Sequence, residues 1–579
     1  MTETVPASRA KRRGRGAPPS IVREVNYRQL KNPFPPMKVF SDDRIEAMHE
    51  AALSVLENLG MRVLLPAARD HFTRGGATLR DDDMIHIGRD MVEAALASAP
   101  KSIHAHGAIR ERDVILEPGS IVFQPGAGAP HATDRTRGRR PGTASDFRDL
   151  TRLTQHFDVL QMVPPLIEPQ DVATNVRHYM TMEAQLTLSD KLPFIFSRGT
   201  PQVEQSFEIL RDFRGLSDDE FQGSVHSYTI INTNSPRQLD IPMAQGLIDF
   251  ARAGQVSIVT PFTLMGAMAP ITVAGAITLS HAEALAAITL TQLVRPGAPV
   301  LYGTFTSNVD MKSGAPAFGT PEHFKASLAA GQMARLIGLP WRSAAGSAAN
   351  TSDVQAAGET QFGLWGCLMA GATVTIHAAG WLEGGLTVSY EKLITDIEIL
   401  QMIAELCTET LATDAEIGLD ALAEVAPGGH FFAAQQTMSR YQTEFYQPFA
   451  ADWSNFGTWS ENGSVDATTR ATGIWQRILH DGGLSHILQG WPPPLSSAVI
   501  EHIQAVRPTP IVGAIPPGSD GRPAIATVER QLLGGQGQGS FHHVRRKADA
   551  DAIHPGATSQ QQIPGLFVVD IHAYPFQDL

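Results

Sequence analysis

Cysteine is nearly missing from the 579-residue chain, with Cys367 and Cys407 its only two. Two thiols build neither a disulfide framework nor a cysteine-rich metal site, which excludes a structural zinc knuckle and suits a reducing cytoplasm. An excess of positive charge is missing too. Lys plus Arg number 46 against 59 Asp plus Glu, a formal charge of −13, whereas a general nucleic-acid binder needs concentrated cations to neutralise phosphates. Small molecules and proteins are therefore the expected partners, with no nucleic acid. No apolar run reaches the roughly 18 to 20 residues that span a bilayer. The Ala-rich stretch 266–294 is broken by Pro270, His281, Glu283 and Gln292 and reads as a buried helix. Arg9, Lys11, Arg12, Arg13 and Arg15 have no apolar segment behind them, so no secretory signal or membrane association is expected, and the location is read as cytoplasmic.

What the chain does contain is an alternation. Residues 1–31 read as a flexible basic arm. Over 32–115 the helical spacing that follows Ser41, and a second amphipathic stretch from Arg89 to Ala99, predict a mainly helical N-terminal region. Between 116 and 414, eight short β-rich runs (120–126, 158–164, 192–197, 225–231, 256–262, 298–305, 340–346 and 372–380) alternate with eight stretches of helical period. Eight βα units predict an α/β fold of the (β/α)8 TIM-barrel type. A nucleotide-binding open sheet would show a glycine fingerprint, and GAGAP (126–130) lacks its third glycine. Residues 415–506 read as a C-terminal helical cap, and the Pro/Gly-rich 507–579 as an extended tail.

In such a barrel the chemistry sits at the C-terminal ends of the strands. The residues there are polar and poorly charged: Gln124, Glu168, Arg198, Asn232, Phe262, Thr304 to Asn308, Thr351, His377, Trp381 and Glu383. A catalytic metal needs about three converging protein ligands, and only His377 is well placed, so no metal is expected. Lys312 and Lys392 fall where ion pairing or capping is the natural role. There is no GxSxG elbow, and Cys367 lies among apolar neighbours, as an inert buried thiol does. What remains is a set of aromatic side chains, and aromatic faces attract quaternary ammonium groups through the ring quadrupole. Trp381, in a glycine-flanked loop, is the foremost of these.

The runs NPFPP (32–36), VLENLGMRV (55–63), RRPGTASDF (139–147), IEPQDV (167–172), TLSDKLP (187–193), NTNSP (232–236), TPFTLMGAMAPIT (260–272), GTFTSNVDMKSGAPAFGTPE (303–322), HAAGWLEGGLTVSYEK (377–392) and PGGHFF (427–432) resemble the trimethylamine methyltransferase family over residues 32–506. The resemblance implies a TIM-barrel enzyme that passes a methyl group from a methylated amine to the cobalt of a separate corrinoid protein. Members acting on trimethylamine carry pyrrolysine after the seventh strand. Here AANTSDVQAAGE (348–359) puts Thr351 at that position, so pyrrolysine is absent by this comparison, and the chain is similar to the branch that demethylates quaternary amines such as glycine betaine.

A quaternary ammonium is already activated, since its leaving group is a neutral tertiary amine, and needs no covalent adduct. On that reading His377 and Asn232 are the catalytic candidates. Trp381 with Phe305 or Tyr302 encloses the onium, Arg198 meets a substrate carboxylate, Thr351 belongs to the substrate loop, and Gly384 and Gly385 shape it. The expected cofactor is cobalamin or another corrinoid carried by a partner protein, and a homo-oligomer is expected from barrel size. Two alternatives stay open: transfer from another onium donor such as a carnitine, proline betaine or a sulfonium, and a betaine-binding protein without transferase activity.

Overall fold

The computed structural model describes residues 26–480. Most of the basic arm, the end of the C-terminal cap with the amphipathic stretch near 495–506, and the 507–579 tail lie outside the described residues. Eight parallel strands form the centre: β1 (Ser120–Phe123), β2 (Met162–Val163), β3 (Leu192–Pro193), β4 (Tyr228–Ile231), β5 (Val256–Val259), β6 (Val300–Gly303), β7 (Trp341–Ala344) and β8 (Val374–Ile376). Each falls inside one of the runs expected to be strands. β4, β5, β6, β7, β8 and β1 pair in that order, all parallel, and β2 pairs with β3. A bridge joins Phe194, just past β3, to Tyr228 of β4. Just before β2, the Gln161 backbone N–H donates to the Phe123 carbonyl at 3.1 Å, and its side-chain oxygen accepts from the Phe123 N–H at 2.7 Å.

A long helix follows each strand: α1 (Ala144–His156), α2 (Arg177–Leu188), α3 (Thr200–Arg214), α4 (Ile241–Ala253), α5 (Val273–Val294), α6 (Pro321–Ile337), α7 (Val354–Ala370) and α8 (Tyr390–Leu406), with a short extra helix Asp218–Gly223 between α3 and β4. Their starts are written in the sequence. Thr143 and Asp146 form a reciprocal capping box at α1, and Asp240, Thr272, Thr320, Asp353 and Ser389 each accept a first-turn backbone N–H. Each cap satisfies donors that the helix itself leaves without a partner.

α5 is long and apolar enough by composition to cross a membrane, yet 72% of its apolar window is buried inside the protein. It is a core helix, covered by Ile45, Leu53, Leu56 and Phe72 of the N-terminal region, and each such side chain contributes about 1.5–3 kcal/mol on burial. Two of its charged or titratable residues have partners from outside the helix. Glu283 accepts from the Thr233 and Ser235 hydroxyls and the Arg237 N–H, and His281 sits between His49 and the Tyr302 hydroxyl.

The N-terminal region is more mixed than its helical period predicts. Beside helices Asp42–Ser54, Pro66–Arg74 and Arg89–Ser98 it contributes strands Met61–Val63, Thr78–Arg80 and Met84–His86 to a small sheet completed by Gln238–Leu239. Three-residue strands carry too little periodicity to announce themselves, and one partner lies far along the chain. On the C-terminal side, helix Ala467–His480 packs on α8, with the Trp475 indole N–H donating to Glu391 at 3.0 Å.

Candidate active site

The segments after β5, β6 and β8 bring five rings together. Beyond β6 the chain continues as strand Phe305–Val309, which pairs in parallel with Phe262–Met265 and antiparallel with Pro316–Ala317. This extension places Phe305 against Phe262 and stacks it on Phe318, with centroids 5.1 and 5.0 Å apart. His377, directly after β8, lies flat on Trp381 at 3.5 Å, and Phe305 is 5.4 Å from His377 and 6.0 Å from Trp381. His377 has φ +53, a left-handed conformation that a residue with a Cβ adopts at a cost of about 1 kcal/mol. Strain of this kind gathers at functional sites.

The indole of Trp381 is bedded on glycines. A Cβ on Gly126, Gly346 or Gly385 would come within 2.5, 3.0 or 2.6 Å of its ring atoms. Gly385 therefore makes room for the ring, whereas Gly384, at φ +64, turns the chain beside Phe318. A buried clamp holds the segment from behind. Lys392 Nζ donates to both Asp396 oxygens at 2.8 Å and to Thr360 Oγ1 at 2.7 Å, and Asp396 Oδ2 accepts from the Gly380 N–H. Lys392 is thus an ion-pairing residue. Cys367 is buried and its thiol pushed up to about 11 by burial, as an inert thiol should be.

Several polar atoms around the strand ends are buried without a partner among the described residues: Gln124 Nε2, Thr260 Oγ1, Arg342 Nε, His377 Nδ1 and Trp381 Nε1. Gln124, Thr260 and His377 are the residues immediately after β1, β5 and β8. Buried polar groups are nearly always satisfied, so this set marks a place where a polar ligand or water belongs. Burial, and then the charge of Arg342, push His377 well below the usual histidine value, so its ring is neutral. Burial also pushes the nearby His323 down to about 4.

The other expected site residues are scattered. Tyr302 points outward into the helix layer, its hydroxyl 3.1 Å from His281 Nδ1. Asn232 is half-buried after β4. Arg198 lies over Phe196 and is bound to Glu168, which Arg177 also grips at 2.9 Å. Thr351 is exposed in the loop after β7. That loop is tied down by Glu359, which accepts from Ser347 Oγ and the Ala348 and Ala349 N–H groups. Phe318 and Arg342 are not among the residues expected at the site, and His323, expected on a helix in a structural or surface role, is buried in α6. Phe318 and His323 sit in or beside the distinctive 303–322 run, and Arg342 lies inside a strand rather than at its end.

On the opposite rim, His104 and His106 share Asp113 Oδ2 at 2.8 and 3.1 Å, ligand atoms close enough to hold a metal ion. Their hairpin bridges to Val225, ahead of β4, so the group lies away from His377.

The family profile of trimethylamine methyltransferase (MTTB) matches residues 7–497. The chain belongs to the trimethylamine methyltransferase family. It is accordingly a methyltransferase. A glycine betaine methyltransferase of Desulfitobacterium hafniense (strain Y51) is 31% identical over 448 residues, 77% of this chain and 93% of that protein. A trimethylamine methyltransferase of Desulfitobacterium hafniense (strain DSM 10664 / DCB-2) is 28% identical over 81% of this chain and 92% of its own length. The crystal structure of the Methanosarcina barkeri monomethylamine methyltransferase superposes with a TM-score of 0.44 and 8% identity, covering 77% of this chain and 88% of that one.

Proposed function

We propose that this family member takes a methyl group from a quaternary amine of the glycine betaine type and passes it to the Co(I) centre of a corrinoid carried by a separate protein. The observation that carries the reading is the cluster of Phe305, Phe318, His377 and Trp381 at the strand ends, with a neutral imidazole at its centre. Such a surface suits an onium, whose spread charge needs no hydrogen bond and is drawn to ring faces. Thr351 supports the same substrate class. At the position that corresponds to pyrrolysine it offers only a hydroxyl, and a quaternary amine needs no prior activation. The similarity to a glycine betaine methyltransferase points the same way.

The corrinoid supplies the nucleophile; this chain's part is to bind the onium, align one methyl with the rim and exclude water. For this purpose we read the eight strands as a closed barrel, supported at the β3–β4 side by the Phe194–Tyr228 bridge and at the β1–β2 side by the two hydrogen bonds, one in each direction, between Gln161 and Phe123. Trp381→Leu removes the largest ring of the cluster. It is expected to lower kcat/KM for methyl transfer from glycine betaine by up to about tenfold, from the aromatic contribution alone. Unchanged kinetics in a folded variant would dismiss the cluster as the onium site.

A further inference from the structure

Arg342 is among the largest fully enclosed side chains of the protein, 1% exposed in β7. Its single side-chain hydrogen bond among the described residues runs from Nη1 to the Thr304 carbonyl at 3.0 Å, and Nε has no partner. Its carbon Cζ lies 5.2 Å from the centroid of Phe305, so the guanidinium is part of the aromatic cluster. No carboxylate pairs with it among the described residues. Two other deeply buried cations have counter-ions, Lys392 in Asp396 and Arg112 in Asp190 and Asp158, while Lys191 is held by the Thr154 and Phe157 carbonyls. A buried guanidinium is costly without a counter-ion, and its planar fork fits a carboxylate with two parallel hydrogen bonds.

We infer that Arg342 is the anchor for the carboxylate of the substrate, so that the site takes zwitterionic onium carboxylates in preference to onium ions without an acid group. The inference rests on the onium reading above and adds the second half of the ligand. Arg342 belongs to the strand itself, while Phe305, His377 and Trp381 come from the segments beyond the strand ends. A betaine held by both therefore has its carboxylate inward and its methyl groups toward the rim, the side from which a corrinoid must approach. Gln124 Nε2 and Thr260 Oγ1, buried at the same strand ends, are further unpartnered polar atoms facing this requirement. Arg198 is left out of that role, because Glu168 already neutralises it.

Titration calorimetry of the full-length protein with glycine betaine and with tetramethylammonium tests this directly, the two ligands sharing the onium and differing in the carboxylate. The wild type is expected to bind glycine betaine more tightly. Arg342→Gln is expected to reduce that preference by about 30-fold, the usual weight of a charge-assisted pair, while Arg342→Lys retains part of it. Folding is not the obstacle: removing an unpaired buried charge leaves the ligand-free melting temperature unchanged or higher. If folded Arg342→Gln keeps the wild-type preference, the anchor is refuted and the onium site stands. If the wild type binds neither ligand, the onium reading falls and this inference with it.

Discussion

The imidazole of His377 lies face to face on the indole of Trp381, with ring centroids 3.5 Å apart and planes 6° from parallel. The contact joins the last strand of the sheet to the glycine-rich loop behind it. It depends on the left-handed backbone of His377 and on Gly126, Gly346 and Gly385 leaving space for the indole. His377→Ala is expected to free one face of Trp381 and to lower kcat/KM for methyl transfer by about tenfold, with a loss of about 0.5–1.5 kcal/mol in stability from the stacked pair. Steady-state kinetics beside denaturant unfolding check both values; unaltered kinetics would remove His377 from the site.

A smaller change reaches the same ring from the other side. At Gly385 φ is +107 and a Cβ would stand 2.6 Å from Trp381 Cζ2, so Gly385→Ala combines backbone strain of about 1–3 kcal/mol with displacement of the indole. The expected result is a loss of activity well beyond the loss of stability, read as kcat/KM at a temperature where the variant is folded. Gly384→Ala at φ +64 meets Phe318 only at ordinary contact distance, 3.5 Å, and should show the strain without the displacement.

The order of strands and helices was legible because most strands are short apolar runs ended by Gly or Pro, and six of the eight helices start at a capping side chain such as Asp353 or Ser389, α2 and α3 starting without one. The site was legible only in part. Tyr302 and Phe305 look equivalent in sequence, but Tyr302 belongs to β6 and its parity turns it toward His281, while Phe305 begins the next strand and faces the cluster. Arg342 is not legible as a site residue because it lies inside a strand rather than at its end. Its side chain nevertheless reaches the Thr304 carbonyl just after β6, beneath the aromatic cluster.

The clamp behind the aromatic loop should matter for folding. Lys392 and Asp396 are each 1% exposed, and removing one partner of a buried pair strands the other charge. Lys392→Met is expected to cost about 3–5 kcal/mol, and Lys392→Met with Asp396→Leu to recover most of it. A double-mutant cycle by chemical denaturation checks this, and a cost below about 1 kcal/mol for the single variant would contradict it.

Acid should destabilise the protein from a mildly acidic pH onward. Burial, followed by the charge of His49, lowers His281 to about 3, and burial lowers His323 to about 4, from 6.5. Below about pH 6.5 the unfolded chain gains protons that these folded histidines refuse. Their contribution is whole above that value and is lost as pH falls, by up to about 1.4 kcal/mol per unit for each. Unfolding free energies at about pH 6.5 and 5 measure the slope, and His281→Leu should reduce it by close to one proton.

The most direct test of the account is methyl transfer itself. Purified protein, glycine betaine and Co(I) cobalamin, or a cognate corrinoid protein reduced anaerobically, are followed by absorbance. The account predicts growth of the methylated corrinoid spectrum with glycine betaine and none with trimethylamine. Transfer from trimethylamine, or no transfer from glycine betaine or any other onium donor in the presence of a cognate corrinoid protein, would contradict it.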